Sequence, residues 1–171
     1  MPEKRVGDQF ANVIYGSVTE SAAGTLTFTK LETGYGSLNR VGWVVHKLEF
    51  YLAVGMSSLI IDNADAIQMA VTKSNLISSV TLDQAAVIDL CQMQFSYRTS
   101  VGFAMDMQPI IRDFTMLPGG GKLVLPYPLF LAVKGISLAS AVTVATRISF
   151  TEQELTDKDW LELVEQTRLL A

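Results

Sequence analysis

His46 is the only histidine in the 171 residues, so a Ser-His-Asp triad or a Cys-His pair would have to be built around it. Its neighbours argue against that. Across residues 44–52 the even positions are apolar apart from His46, while Lys47 and Glu49 occupy odd ones. Such alternation reads as a strand with one buried face, on which His46 is a hydrogen-bonded buried or interface side chain rather than a base. A lone histidine also falls short of the several that converge on a metal in barrel enzymes of the cupin kind. Asp62-Asn63-Ala64-Asp65 is the nearest approach to a calcium loop. It lacks the third-position oxygen ligand, the glycine and the closing glutamate of an EF-hand, so turn capping is its expected role. Gly119-Gly120-Gly121-Lys122 has the look of a phosphate cradle. No Ser or Thr follows the lysine, no glycine precedes at the required gap, and a Pro-containing apolar segment follows instead of a helix. It reads as a turn. Asp106 and Asp113 lie in strand-like stretches with no partner at a useful spacing. The chain is therefore expected to be no enzyme, with no catalytic residue, no metal ligand and no cofactor.

Composition points the same way. Charged residues make up 18% and hydrophobic ones 49%, where a soluble domain carries about 25% charged residues. The deficit implies more apolar surface than one core needs, with the remainder buried against partners. The net charge is −4, and Lys4 and Arg5 form the only basic pair near the start. Without a basic arm to neutralise phosphates, direct binding of nucleic acid is not expected. Cys91 is the single cysteine, which excludes an internal disulfide, and its alternation with Met93 and Phe95 marks it as a small core residue. Residues 1–7 are polar and lack the apolar region of a signal peptide. The longest apolar stretch, residues 123–133, is interrupted by Pro126 and Pro128 and is too short for a bilayer, which takes about 20 helical residues.

The elements that must position these residues are mostly strands. Period-two alternation recurs over residues 25–29, 44–52, 91–97 and 142–150, residues 12–18 are a β-branched strand candidate, and less regular candidates lie at 59–61, 67–72, 110–116 and 130–133. About eight strands separated by Gly, Ser, Asn and Pro clusters indicate an all-β sandwich or closed barrel. One domain is expected over residues 1–171, with residues 1–9 as a flexible N-terminal segment. A short internal helix is expected after Thr81 or Asp83, through Ile88. A second helix is expected over residues 156–169: Thr156 serves as N-cap, Asp157 and Asp159 sit in the first turn, and Leu155 and Trp160 stand at staple positions. Trp160, Leu163, Val164 and Thr167 share one face of it.

This order of elements resembles the single-jelly-roll major capsid proteins of tailless icosahedral viruses with an internal membrane, the sphaerolipovirus-like group. The strand at 44–52, the second half from Cys91 to Phe150, and the ending Ile148-Ser149-Phe150-Thr151-Glu152-Gln153-Glu154-Leu155 that runs into the acidic-capped helix with Trp160 and Glu162 carry the likeness. The resemblance implies a coat protein made in the host cytoplasm that self-assembles into capsomers of an icosahedral virion shell, with itself or a second coat protein, over a lipid membrane. Such a shell, separated from its genome by lipid, needs no basic arm. Candidate contact residues are Val45 and Tyr51, as outward-facing side chains, and Leu125, Tyr127 and Leu129, as an edge confined by prolines. Trp160 is a sixth, on the C-terminal helix. The alternative is a jelly-roll module that binds carbohydrate or a receptor through Tyr35, Trp43 and nearby loops.

Overall fold

β-Branched and aromatic residues at alternate positions favour a pleated surface with one face in a core, and the chain folds accordingly. The computed structural model describes residues 12–36, 40–52, 65–81, 83–94 and 109–168, without the side chains of Thr167 and Arg168. Among these are the strands β1 (Asn12–Thr19), β2 (Thr27–Lys30), β3 (Val41–Leu52), β4 (Ala66–Thr72), β5 (Val87–Gln94), β6 (Ile110–Asp113), β7 (Lys122–Val124), β8 (Phe130–Ile136) and β9 (Thr143–Glu154), followed by the helix α1 (Asp157–Arg168). The expected strand at 59–61 and the N-terminal segment 1–9 lie outside the described residues, as do Phe95 and Tyr97.

The strands form two antiparallel sheets in a sandwich-like arrangement. One runs β1-β9-β3-β6, with β7 also paired to β3; the other runs β2-β8-β4-β5. Their inner faces share one apolar cluster. Trp43, Val45, Leu48, Phe50, Val144, Ile148 and Phe150 come from the first sheet, and Ile67, Met69, Val71, Cys91, Leu131 and Val133 from the second. The Trp43 and Phe150 rings stack with centroids 3.7 Å apart. A smaller apolar cluster lies on the opposite face of the second sheet, where Val80 and Ile77, from the connection between β4 and β5, cover Ala70, Ala132, Phe28 and Leu90.

β3 carries the departure from simple alternation. Val45 stands opposite Phe150 and Lys47 opposite Ser149, so His46 is an extra residue in the ladder, a β-bulge. One added residue exchanges the two faces of a strand. Before the bulge the odd residues Trp43 and Val45 point inward; after it the even residues Leu48 and Phe50 do. The expectation that Val45 faces outward is corrected here, because a constant period across residues 44–52 misses this switch.

Two further expectations change. The described residues 83–88 form no helix: Gln84 N donates to the Thr81 carbonyl and Val87 N to that of Gln84, each three residues back, and Val87 and Ile88 already belong to β5. The β-branched pair is better used in the sheet than in a helix. β7, unforeseen, pairs with Trp43–Val45. α1 forms nearly as expected, with Asp159 N donating to the Thr156 hydroxyl at 3.2 Å, the N-cap bond.

Opposite margins of the sandwich are tied by different polar contacts. Beyond β1, the Glu20 carboxylate accepts from Gly135 N at 2.6 Å and from Val142 N at 3.0 Å, and the residue is only 4% exposed. At the other margin Arg112 of β6 forms a two-pronged pair with Asp89 of β5, Nε to Oδ2 at 2.9 Å and Nη2 to Oδ1 at 3.3 Å. That geometry joins one sheet to the other. Replacing Glu20 with Ala leaves two buried N–H donors unpaired, at about 1–3 kcal/mol each. The Glu20→Ala variant is expected to lose roughly 3 kcal/mol in urea unfolding, and Glu20→Gln, which retains one acceptor oxygen, less; equal stability of Glu20→Ala and wild type would refute the clamp.

Candidate interaction surface

The six residues singled out for contacts do not meet on one face. Val45 is 2% exposed, Leu125 7% and Leu129 1%, and all three are core residues. For Leu125 and Leu129 the physical reason is the strand on each side. β7 is held to β3 and β8 to β4, so the segment between them is drawn against the sandwich, and the Leu129 carbonyl accepts from Leu31 N. The prolines confine this segment, but they do not leave its leucines outside. Tyr127 and Trp160 are half-buried, and the Lys30 ammonium lies 4.6 Å from the Tyr127 ring centroid. Tyr51 does point outward, and its hydroxyl donates to Glu49.

The residues of the alternative reading are placed differently from that expectation. Trp43 is 1% exposed, stacked on Phe150, with the Tyr35 ring packed edge-on against it at 5.9 Å. Burial and a hydrogen bond to the Glu152 carboxylate push the Tyr35 hydroxyl up to about 12. A sugar ring needs an open aromatic face, and Trp43 offers none.

His46 is held at both ring nitrogens. Nδ1 lies 2.7 Å from the Gly120 carbonyl oxygen and Nε2 3.0 Å from the Thr151 hydroxyl. A carbonyl only accepts, so Nδ1 carries a proton, and in the neutral ring Nε2 accepts from Thr151. The histidine thus anchors the glycine turn to β3. A Cβ on Gly121 would come within 2.7 Å of the Val45 carbonyl oxygen, so this residue must be glycine for the turn to approach the bulge. Beyond it the turn presents Met116, 94% exposed, and Leu117, 44% exposed. It is braced where Asp113 accepts from Thr115 N at 2.9 Å and from its hydroxyl at 2.6 Å. Among the described residues no group of three or more His, Cys, Asp or Glu side chains is arranged to hold a metal ion.

The outer face of the β1-β9-β3-β6 sheet holds exposed large hydrophobic side chains, Val13, Tyr15 and Ile111, in ordered rows. Register places Tyr15, Arg147, Glu49 and Ile111 side by side across four strands, and Val13, Ser149, Lys47 and Asp113 in the next row. Tyr15 is 69% and Ile111 49% exposed. Glu49 is only 6% exposed although it points away from the core. Lys47 Nζ lies 2.8 Å from it, Arg147 Nη1 3.6 Å, and Tyr51 donates to it. The Tyr15 ring sits against Arg147, with 5.8 Å from centroid to guanidinium carbon. The hydrogen bonds from Lys47 and Tyr51 hold the Glu49 carboxyl below its ordinary range against the opposing effect of burial, and the same contact raises the Tyr51 hydroxyl. Tyrosine and arginine are the residue types enriched at contact hot spots, and here Tyr15, Tyr51 and Arg147 surround a satisfied charge. Sequence reading found Tyr51 here and missed Val13, Tyr15 and Ile111. The odd positions of residues 12–18 were a usable signal for the first two, once the core face of β1 was assigned to Ile14, Gly16 and Val18.

No protein-family model matches the chain, and comparison with curated proteins finds no match either.

Because the folded carboxyl of Glu49 is depressed, its stabilisation is complete above the ordinary glutamate value of 4.5 and disappears as pH falls through the lower folded value. Urea-unfolding midpoints between about pH 6 and pH 3 should therefore fall less steeply for Glu49→Gln than for the wild type; identical slopes would remove Glu49 from the acid response.

Proposed function

We propose that this chain is a coat subunit with a jelly-roll fold, which self-assembles into capsomers of an icosahedral virion shell. The observation that carries the reading is the order of strand pairing. β6 and β7 lie along successive parts of β3 and count as one interrupted position. With eight positions so defined among the described residues, the first pairs with the last, β1 with β9, and the second with the next-to-last, β2 with β8. The third pairs with the sixth, β3 with β6 and β7, and the middle two, β4 and β5, pair with each other. This order of pairing supports a jelly roll, in which one long antiparallel hairpin is doubled over and rolled so that its strand pairs divide between facing sheets. Fold alone does not assign function. The assignment draws in addition on the contact-type outer face around Tyr15, Arg147 and Ile111 and on the resemblance in element order.

Association is the physics of that role. Each contact in a closed lattice can be weak, because every subunit makes several and their free energies add. Apolar groups at the centre of each contact contribute about 25 cal/mol per Å² removed from water. The partners are further copies, alone or with a second coat protein, above a lipid layer. Nucleic acid is not a direct partner in this account. Six of the 17 acidic residues but only two of the 13 basic ones lie from Glu152 to Arg168, so this stretch by itself carries the net charge of −4. Such an end repels a phosphate backbone.

Multi-angle light scattering of the purified full chain tests the reading. The weight-average mass is expected to climb with concentration to several times the 18.7 kDa of one chain; a constant 18.7 kDa at high concentration would overturn it.

A further inference from the structure

The two sheets end in strands of very different character. β2 is four residues long and closes with Lys30, and β6, also four residues, contains Arg112 and Asp113. β7 has three residues and begins with Lys122. β5 contains Asp89, which is paired with Arg112, and its ladder is broken by a register shift opposite Val71 and Thr72. Shortness, charge and bulges are the means by which natural proteins keep sheet edges from pairing with other chains. β1 has none of them. Its eight residues, Asn12-Val13-Ile14-Tyr15-Gly16-Ser17-Val18-Thr19, include no charge and no proline, and they keep one unbroken register with β9. Among the described residues no strand pairs with the far side of β1.

From this contrast we infer that β1 is an interface strand, and that its occupant is β1 of a second copy, paired antiparallel about a two-fold axis at Gly16. A bare strand edge is satisfied by another strand, since only extended backbone supplies the alternating donors and acceptors. The facing strand must be uncharged to suit β1, and β1 itself meets that condition. Face matching limits the register. Inward residues must oppose inward ones, or the outward set would be driven into the core. With the axis at Gly16, Ile14 opposes Val18 on the core side, while Tyr15 opposes Ser17 and Val13 opposes Thr19 on the outer side. These are mostly β-branched and aromatic cross-strand pairs, with no like charges opposed. An axis one residue earlier would place Ile14 against Gly16 and lose its partner side chain. Pairing at Gly16 makes the two β1-β9-β3-β6 sheets continuous and joins their outer faces at the exposed Tyr15 side chains. The contact gives the proposed coat subunit one defined two-fold neighbour, and to that extent rests on that reading.

The test compares the full chain with the double variant Val13→Lys/Ser17→Lys, whose changes lie on the exposed side of β1. Hydrogen exchange of the β1 amides is measured as a function of concentration, and sedimentation velocity alongside it. In the wild type, protection of β1 amides should rise with concentration in step with a two-chain species. The double variant, with its melting transition retained, should lose that protection and raise the dimer dissociation constant at least tenfold. Wild-type exchange is diagnostic even where the variant fails to fold. β1 amides that exchange equally in dilute and assembled wild type overturn the pairing, as does a folded variant that dimerises like wild type. Particles that still form in either of those cases preserve the coat-subunit reading and reject only this contact; a wild type that stays monomeric throughout rejects both. Protection that appears only on mixing with another protein assigns the edge to a different chain and rejects self-pairing.

Discussion

The single extra residue in β3 is the constraint on which the rest of the structure depends. β3 pairs with β9 along most of its length, with β7 before the bulge and with β6 after it. Without His46 as an extra residue in the β3–β9 register, one half of the strand would present its polar set to the core. The bulge lets Trp43 and Val45 enter the same cluster as Leu48 and Phe50 while Lys47, Glu49 and Tyr51 remain together outside. The shift is secured from the side. His46 is bonded to Gly120 and Thr151, and Gly121 passes so close to the Val45 carbonyl that no side chain fits.

The outer face follows from that shift. Glu49 points away from the core and is nevertheless almost fully covered, because Lys47, Tyr51 and Arg147 converge on it and Tyr15 packs on Arg147. A carboxylate already paired within its own sheet loses little further hydration when a partner covers the face, and side chains already ordered lose less entropy. The ladder prepares a surface on which the exposed parts of Tyr15, Val13 and Ile111 can act as anchors. Glu20 at one margin and Asp89 with Arg112 at the other tie the two sheets without adding charge to that face.

Much of this was legible in the residues, and the exceptions have definite causes. Strands β3 and β9 were visible from alternation because each has one face in the shared core, and β1 from its β-branched residues; β4 and β8 showed only as less regular candidates, since Ala70 and Ala132 are buried on their other face. The C-terminal helix was visible from Thr156 and the two aspartates, local signals that tertiary packing does not override. Val45 was misread because a bulge leaves no residue-type signature: the residues on either side of His46 alternate correctly, each half in its own phase. Leu125 and Leu129 were misread because proline identifies a segment that cannot be a central strand but does not say which way its side chains point. The apparent turn of helix near Ile88 failed where β-branched residues were needed in β5. Tyr15 and Ile111 fall at the two ends of one row, with Arg147 and Glu49 between them, only through the register of four strands, which no local pattern encodes.

The central claim is that the apolar and aromatic side chains left outside the sandwich are used for contact between copies. Electron microscopy of the purified chain, concentrated without any added partner, addresses it most directly. The account requires repeating capsomers or closed shells whose subunits touch through the outer face of the β1-β9-β3-β6 sheet. Fields of separate single-chain particles, or ordered assemblies in which that face is left bare to solvent, would contradict it.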